Sequence, residues 1–235
     1  HNTIEAVNEI DSLVVHVSSN DFQKIDIAKS LVYRHVDYEK INDKLKLEKI
    51  RKQTPEIFKY EILERACSEK KRIVLPEGND DRTLKAAAWA REREIADIIL
   101  LGDENLIMKK VATLGLKLDN GIEIINPNKS KNFEDYVNTY YELRKHKHYT
   151  IDIARDRMQD TIYYGTMMIH KGEADGLVAG AVHTTQQTIR PAFEIIKTKP
   201  DIKNASSIFL MCLKDRVLVY GDCAIIPIPT AEQLS

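Results

Sequence analysis

The sequence is poor in cysteine and has no excess of either charge. Its three cysteines, Cys67, Cys212 and Cys223, lie far apart, with no CxxC pair and no zinc spacing to histidine. So few cysteines in 235 residues indicate a reducing compartment, so we expect a cytoplasmic protein. Cys212 and Cys223 stand beside apolar runs and are expected to be buried. The 35 basic and 36 acidic residues leave a formal net charge of -1, which argues against a nucleic-acid partner.

Long hydrophobic runs are also missing. No apolar stretch approaches the roughly 20 residues that a membrane helix needs, and no secretory signal is seen, so no membrane partner is expected. The seven histidines have no acidic partners at ligand spacing, so no metal site is predicted. The 43% of hydrophobic residues nevertheless suffices for a globular core.

Short apolar runs alternate with amphipathic segments from Lys71 onward. The runs predict strands at 73–75, 95–101, 122–125, 177–179, 206–211 and 217–220. The amphipathic segments predict helices from Asp80 or Asp81 to Trp89 and over 104–114, 131–147, 150–171 and 184–197. This order predicts an α/β fold with a mostly parallel sheet that helices cover on both faces.

The first 55 residues do not follow this alternation. Residues 1–45 predict one strand, one turn and one helix, which cannot bury a core alone, so we interpret them as the tail of a further domain. Residues 46–55 are interpreted as a charged linker that ends at Pro55. Because the sequence opens on His1 and closes on Ser235 within a helix-like pattern, we expect a longer natural chain.

Ligands bind such sheets at the carboxyl ends of the strands, and two turns of the sequence lie at such positions. The first, at 75–82, is acidic and lacks the glycine spacing and the lysine of a phosphate loop. Its simplest interpretation is a glycine-containing turn followed by an aspartate that caps a helix.

The second turn carries residues suited to an anion. Gly180 lets a ligand approach the backbone, while Thr184 and Thr185 add hydroxyls beside free amides at a helix start. Arg190 lies one to two turns further, where its guanidinium can contact phosphate through two N–H groups. The alternative is purely structural: Thr184 caps the helix, His183 makes a structural hydrogen bond and Arg190 forms a surface ion pair. Composition alone does not separate these interpretations.

Several longer strings resemble the phosphate acetyltransferase (phosphotransacetylase) family. In order they are RIVLPEG at 72–78, YELRKH at 141–146, ADGLVAGAVHTT at 174–185, TIRP at 188–191, IIKTKP at 195–200, DRVLVYGDCA at 215–224 and PTAEQL at 229–234. The resemblance covers about residues 55–235. Residues 1–45 resemble, more weakly, the end of the regulatory domain that precedes the catalytic part in long bacterial members.

The resemblance implies the reaction acetyl-CoA + phosphate ⇌ CoA + acetyl phosphate, by direct thiol attack in a ternary complex without a metal, a bound cofactor or an acyl-enzyme. CoA, acetyl-CoA, phosphate and acetyl phosphate are the implied substrates, and a homo-oligomer is the implied assembly. The implied fold is two α/β domains like those of isocitrate and isopropylmalate dehydrogenases, with the active site in the cleft. Residues 56–200 would form the first domain, and residues 201–235 only the start of an incomplete second one.

The resemblance also assigns roles to individual residues. The family's two anion-holding, catalytic arginines in this part of the chain fall on Arg144 and Arg190. The substrate-binding turn falls on Gly180, His183, Thr184 and Thr185.

Two departures from the family pattern bear on activity. Ile226 and Ile228 stand where the family has asparagines, which removes hydrogen bonds near the cleft. The family's serine, arginine and aspartate that orient CoA and deprotonate its thiol fall beyond Ser235. Because a thiol with a pKa of about 8.5 needs a base at neutral pH, we expect little turnover by this chain alone.

Three alternatives stay open at this point. One is a phosphate butyryltransferase, although the match at 179–185 favours acetyl. A second is a catalytically inactive fragment that keeps only the anion-binding half of the site. A third is a metal-dependent decarboxylating dehydrogenase, which the lack of a carboxylate cluster disfavours.

Overall fold

A parallel sheet lies at the centre of the computed structural model, which describes residues 54–118, 121–202, 204–226 and 228–234. The predictions for residues 1–45, and for all but the end of the linker at 46–55, lie outside the described residues. The described residues belong to one compact unit that begins at residue 53.

Eight helices and six strands make up this described part. The strands are β1 (Arg72–Leu75), β2 (Asp97–Leu101), β3 (Ile122–Ile125), β4 (Gly176–Leu177), β5 (Ile208–Cys212) and β6 (Val217–Gly221). The helices are α1 (Pro55–Ser68), α2 (Asp81–Glu92), α3 (Glu104–Thr113), α4 (Phe133–Arg144), α5 (Ile151–Gln159), α6 (Thr161–His170), α7 (Thr185–Ile195) and α8 (Ala231–Leu234). Short 3-10 turns cover Pro127–Lys129 and Lys145–Lys147.

Aspartate caps fix where several helices begin. Asp80 accepts hydrogen bonds from two amides in the first turn of α2, and Asp103 accepts one from α3. Asp160 takes an extended backbone conformation and caps α6. The prediction of one helix over 150–171 is therefore wrong, because this cap ends α5 and starts a new helix.

The strand order in the main sheet is β3-β2-β1-β4, with every pair parallel. The chain runs outward from β1 to β3 and then returns to the other side of β1 for β4. The loops that follow β1 and β4 consequently diverge, which creates the crevice where ligands bind in sheets of this kind.

Two apolar clusters show that helices cover both faces of this sheet. Alternate residues of β2 point to opposite sides, as strand geometry requires. Ile98 and Leu100 pack against α2 and α3, and Ile99 and Leu101 pack against α4, α5 and α6. The predicted α/β fold is thereby confirmed.

Strands β5 and β6 form a separate antiparallel pair rather than extending the main sheet. Apolar side chains on it are exposed, with Ile208 at 63% and Val219 at 64%. Cys212 and Cys223 are exposed as well, so the expectation that they are buried is wrong: this sheet has no apolar layer of described residues over it.

Within the described ranges, none of the helices has both the length and the apolar character for a bilayer span.

Candidate active site

One face of α7, along its whole length, borders a pocket of about 620 Å³. Its wall combines two arginines, a glutamate and the polar start of α7 with apolar side chains. The lining residues are Arg144, Thr185, Gln186, Ile189, Arg190, Phe193, Glu194, Ala224 and Ile225. The pocket lies on the loop side of β4, where the sheet topology places a ligand site.

Two of the lining side chains, Arg144 and Arg190, converge on one carboxylate oxygen. Arg190 Nε donates to Glu194 Oε1 at 2.9 Å, and Arg144 Nη2 lies 3.9 Å from the same oxygen. The Arg144 guanidinium also stacks 5.3 Å from the centre of the Tyr149 ring. Its side chain is only 16% exposed and its buried Nε has no hydrogen-bond partner among the described residues.

The Glu194 carboxylate is held from its other side by two tyrosines. Its Oε2 accepts hydrogen bonds from Tyr140 at 2.6 Å and from Tyr163 at 3.0 Å. Burial opposes ionisation of this carboxyl, but the hydrogen bonds from Tyr140, Arg190 and Tyr163 outweigh it and lower the pKa of Glu194. Burial, with the neighbouring Glu194 charge, raises the pKa of Tyr163 to about 12, so its hydroxyl stays a donor.

A capping box fixes the start of α7. The Thr184 hydroxyl accepts from the Gln187 amide, and the Gln187 side chain accepts from the Thr184 amide. The next two amides, those of Thr185 and Gln186, have no acceptor among the residues that the structure describes. They are the donors that a helix N-terminus offers to an anion.

The turn before this helix wraps around a carboxylate of the protein itself. Glu77, in the loop after β1, accepts from four consecutive amides, those of residues 180–183, at 2.8 to 3.1 Å. The His183 ring contacts the same carboxylate through Nδ1 at 2.9 Å. Burial opposes ionisation, but the His183 and Val182 amides and the His183 ring prevail and lower the pKa of Glu77 to about 2.

Gly180 gives this turn its shape. Its φ of +118° lies in the region that favours glycine, and from there the following amides point inward to Glu77. Arg82 reinforces the connection by donating to the Ala181 carbonyl from the start of α2. The two loops at the sheet's crevice are thus joined by hydrogen bonds.

The structure brings Arg144, Arg190 and Thr185 together at one pocket and places two of the other expected residues elsewhere. His183 lines a neighbouring pocket of about 240 Å³, next to Glu77, and the Gly180 amide is bound to Glu77. Glu77 occupies the amides of residues 180–183, so a ligand cannot use them, whereas the free amides expected beside Thr184 lie further on, at Thr185 and Gln186. Thr184 acts as the N-cap that the structural alternative described.

Sequence reasoning missed the two buried glutamates. The four-residue spacing of Arg190 and Glu194 on one helix was a usable signal for their ion pair. Glu77 had no comparable signal, because its partners lie 103 to 106 residues away in the chain.

The donor set of the pocket suits an anion. Its lining residues carry two guanidinium groups, a threonine hydroxyl and two unbonded helix-start amides, together with the carboxylate that pairs with the arginines. Across the described part of the chain, His, Cys, Asp and Glu form no group of three that could hold a metal ion.

Comparison with known proteins decides the family. The family model described as phosphate acetyl/butaryl transferase matches residues 57–235. The chain belongs to this family. The sequence-based assignment of the family is thereby confirmed.

Relatives and solved structures agree with this assignment. A phosphate acetyltransferase of Nitratidesulfovibrio vulgaris is 49% identical over 235 residues, which is 100% of this chain and 33% of the relative. One from Corynebacterium glutamicum is 49% identical over 179 residues, which is 76% of this chain and 54% of the relative. The chain thus spans about a third to a half of the length of these relatives.

The structural neighbours include EutD phosphotransacetylase from Staphylococcus aureus, with a TM-score of 0.66 and 39% identity over 73% of this chain and 52% of the neighbour. A phosphotransacetylase from Streptococcus pyogenes gives a TM-score of 0.68 and 37% identity over 74% of this chain and 53% of the neighbour.

Proposed function

We propose that the protein is a phosphate acetyltransferase, which converts acetyl-CoA and phosphate into CoA and acetyl phosphate, and that the described pocket binds the phosphate group. The observation that carries the proposal is the convergence of Arg144 and Arg190 on one pocket beside α7. The names of the relatives support acetyl over butyryl as the acyl group, because those matched here are phosphate acetyltransferases.

The chemistry needs positive charge at the leaving group. When a CoA thiolate attacks the carbonyl carbon of acetyl phosphate, the carbon–oxygen bond to phosphate breaks and its electron pair goes to the phosphate. Arg144 and Arg190 would neutralise that developing charge, and the Thr185 hydroxyl and the amides of Thr185 and Gln186 would orient the phosphate oxygens. Since these groups are already fixed by Glu194 and the capping box, they would lose little freedom on binding.

The other expected roles stay proposals of the same hypothesis. His183 and Gly180 would contribute indirectly, because the turn that they form around Glu77 sets where α7 begins. Thr184 would contribute by capping this helix. Residues 56–200 would form the first domain and residues 201–235 the start of the second, while residues 1–45 would belong to a preceding domain. The start of the family match at residue 57 supports that boundary. Assembly as a homo-oligomer and a cytoplasmic location remain predictions from the sequence.

The test compares the chain with Arg190→Ala and with the matched control Arg155→Ala. Arg155 is also a surface arginine paired to a glutamate, Glu134, but it lies outside the pocket. We expect phosphate and acetyl phosphate, at the same concentration, to raise the melting temperature of the parent and of the Arg155 variant clearly more than that of the Arg190 variant. Because little turnover is expected of this chain alone, phosphate binding is the main readout; whatever acetyl-CoA formation the parent shows, followed by the thioester absorbance, should be lower in the Arg190 variant and unchanged in the Arg155 variant. A parent that binds neither phosphate compound would overturn the proposal.

A further inference from the structure

We infer that Glu194 is a positioning residue of the anion site: its buried carboxylate sets the orientation of Arg144 and Arg190 toward the pocket. The inference rests on the proposed function, because it concerns how the same pocket holds phosphate. The two carboxylate oxygens of Glu194 have different hydrogen-bond partners. Oε2 faces the protein core and Oε1 faces the arginines.

The core side of Glu194 is rigid. Tyr140 on α4 and Tyr163 on α6 are 0% and 4% exposed and belong to the apolar cluster under the sheet. Their ring centres are 5.7 Å apart in an edge-to-face arrangement, so neither ring can turn freely. Two hydroxyls from fixed helices therefore hold the carboxylate in one place.

The pocket side of Glu194 transmits this position to the arginines. Arg190 is half exposed, at 50%, and such a side chain would sample many rotamers without an anchor. Glu194 engages its Nε and Tyr149 also hydrogen-bonds the guanidinium, whose five N–H groups still leave donors for a ligand. Arg144 faces the same oxygen from the end of α4 and rests on Tyr149.

Charge gives Glu194 a second effect on the pair. Two guanidinium groups directed at one partly buried point repel each other, and a carboxylate between them offsets this repulsion. One positive charge then remains for the phosphate. A neutral side chain at position 194 would raise the attraction for anions but would hold Arg190 less firmly in its position. Affinity alone therefore mixes two opposing effects, and the test must separate them.

A double-mutant cycle makes that separation. The affinity for inorganic phosphate is measured by calorimetry in the parent, Arg190→Ala, Glu194→Gln and the double variant. The direct effect of the Glu194 charge on phosphate is the same with and without Arg190, so it cancels in the cycle. We expect Arg190→Ala to weaken phosphate binding about tenfold in the parent but about threefold or less in the Glu194→Gln background, where a neutral oxygen holds Arg190 less firmly. A merely structural Glu194 would give the same factor in both backgrounds, and that result would overturn the inference.

Two further variants keep the test decisive. Glu142→Gln removes an exposed carboxylate of α4 that pairs with Lys145 outside the pocket, and its cycle with Arg190→Ala should be additive. If Glu194→Gln fails to fold, Tyr163→Phe keeps the charge and removes only one anchor of the carboxylate. In its cycle with Arg190→Ala, the loss of phosphate affinity caused by Arg190→Ala should be about twofold to threefold smaller than in the parent. Additive effects in this cycle would refute the positioning role of Glu194. A parent that does not bind phosphate would instead refute the proposed function.

Discussion

Replacing Glu77 by glutamine tests whether its carboxylate holds the two loops of the crevice together. The variant keeps the size of the side chain but removes its charge. An NH2 group would replace one oxygen of the carboxylate and would meet backbone amides that are donors themselves. We therefore expect a large loss of stability from a change of very few atoms.

The pKa of Glu77 gives the magnitude. A decrease from 4.5 to about 2 corresponds to about 3 kcal/mol of folding free energy at neutral pH. Because the folded pKa is lower than the unfolded one, this stabilisation is complete above about pH 4.5 and decreases as the pH falls toward 2. By pH 3 the parent should have lost about 2 kcal/mol of it, while Glu77→Gln loses none of this contribution.

Urea unfolding followed by circular dichroism at several pH values between 7 and 3 measures this difference. The free energies of unfolding of parent and Glu77→Gln should differ by about 3 kcal/mol at pH 7 and by about 1 kcal/mol at pH 3. Glu104→Gln, which removes an exposed carboxylate from the start of α3, is the control, and its difference from the parent should stay below about 1 kcal/mol at every pH. A difference between parent and Glu77→Gln that stays constant with pH would show that the charge of Glu77 is not what the amides recognise.

Three other substitutions test the fold around the site. Gly78→Ala would place Cβ 2.6 Å from the backbone oxygen of Leu101, which cannot move aside, so unfolding free energy should fall by about 1–3 kcal/mol; an unchanged urea midpoint would contradict this contact. Asp103→Ala should cost about 1 kcal/mol by removing the cap of α3, with Asp103→Ser restoring most of it in the same urea assay. Tyr140→Phe takes the 2.6 Å donor from the buried Glu194 carboxylate and should cost about 1.5–3 kcal/mol in thermal unfolding; a neutral effect would show that Glu194 does not depend on this bond.

Local sequence patterns were sufficient for most of the fold. The apolar run at 122–125 is β3 without any change of bounds, and the caps at Asp80 and Asp103 mark the starts of α2 and α3. The amphipathic pattern gave a wrong prediction for residues 150–171, where a helix cap divides one predicted helix into two. Asp160 interrupts a continuous helical pattern because its side chain satisfies the first amides of α6 better than a continued helix would.

The site was predictable only where its contacts are close in sequence or shared with relatives. Arg190 and Glu194 lie four residues apart on one helix, and Arg144 came only from the resemblance to the family. The tyrosines that hold Glu194 sit 54 and 31 residues away from it. Such contacts depend on how helices pack on the sheet, which no local pattern encodes.

The two glutamates also explain where in the crevice a phosphate would bind. A turn of four inward-pointing amides is an anion site in its own right, but Glu77 occupies it from within the chain. In the proposed function, a phosphate would then use the next donors along the chain, which are the first amides of α7 and the arginines paired with Glu194. Because Glu77 fixes the start of α7 without any ligand, those donors are in place before phosphate arrives, and the cost of arranging them falls on folding rather than on binding.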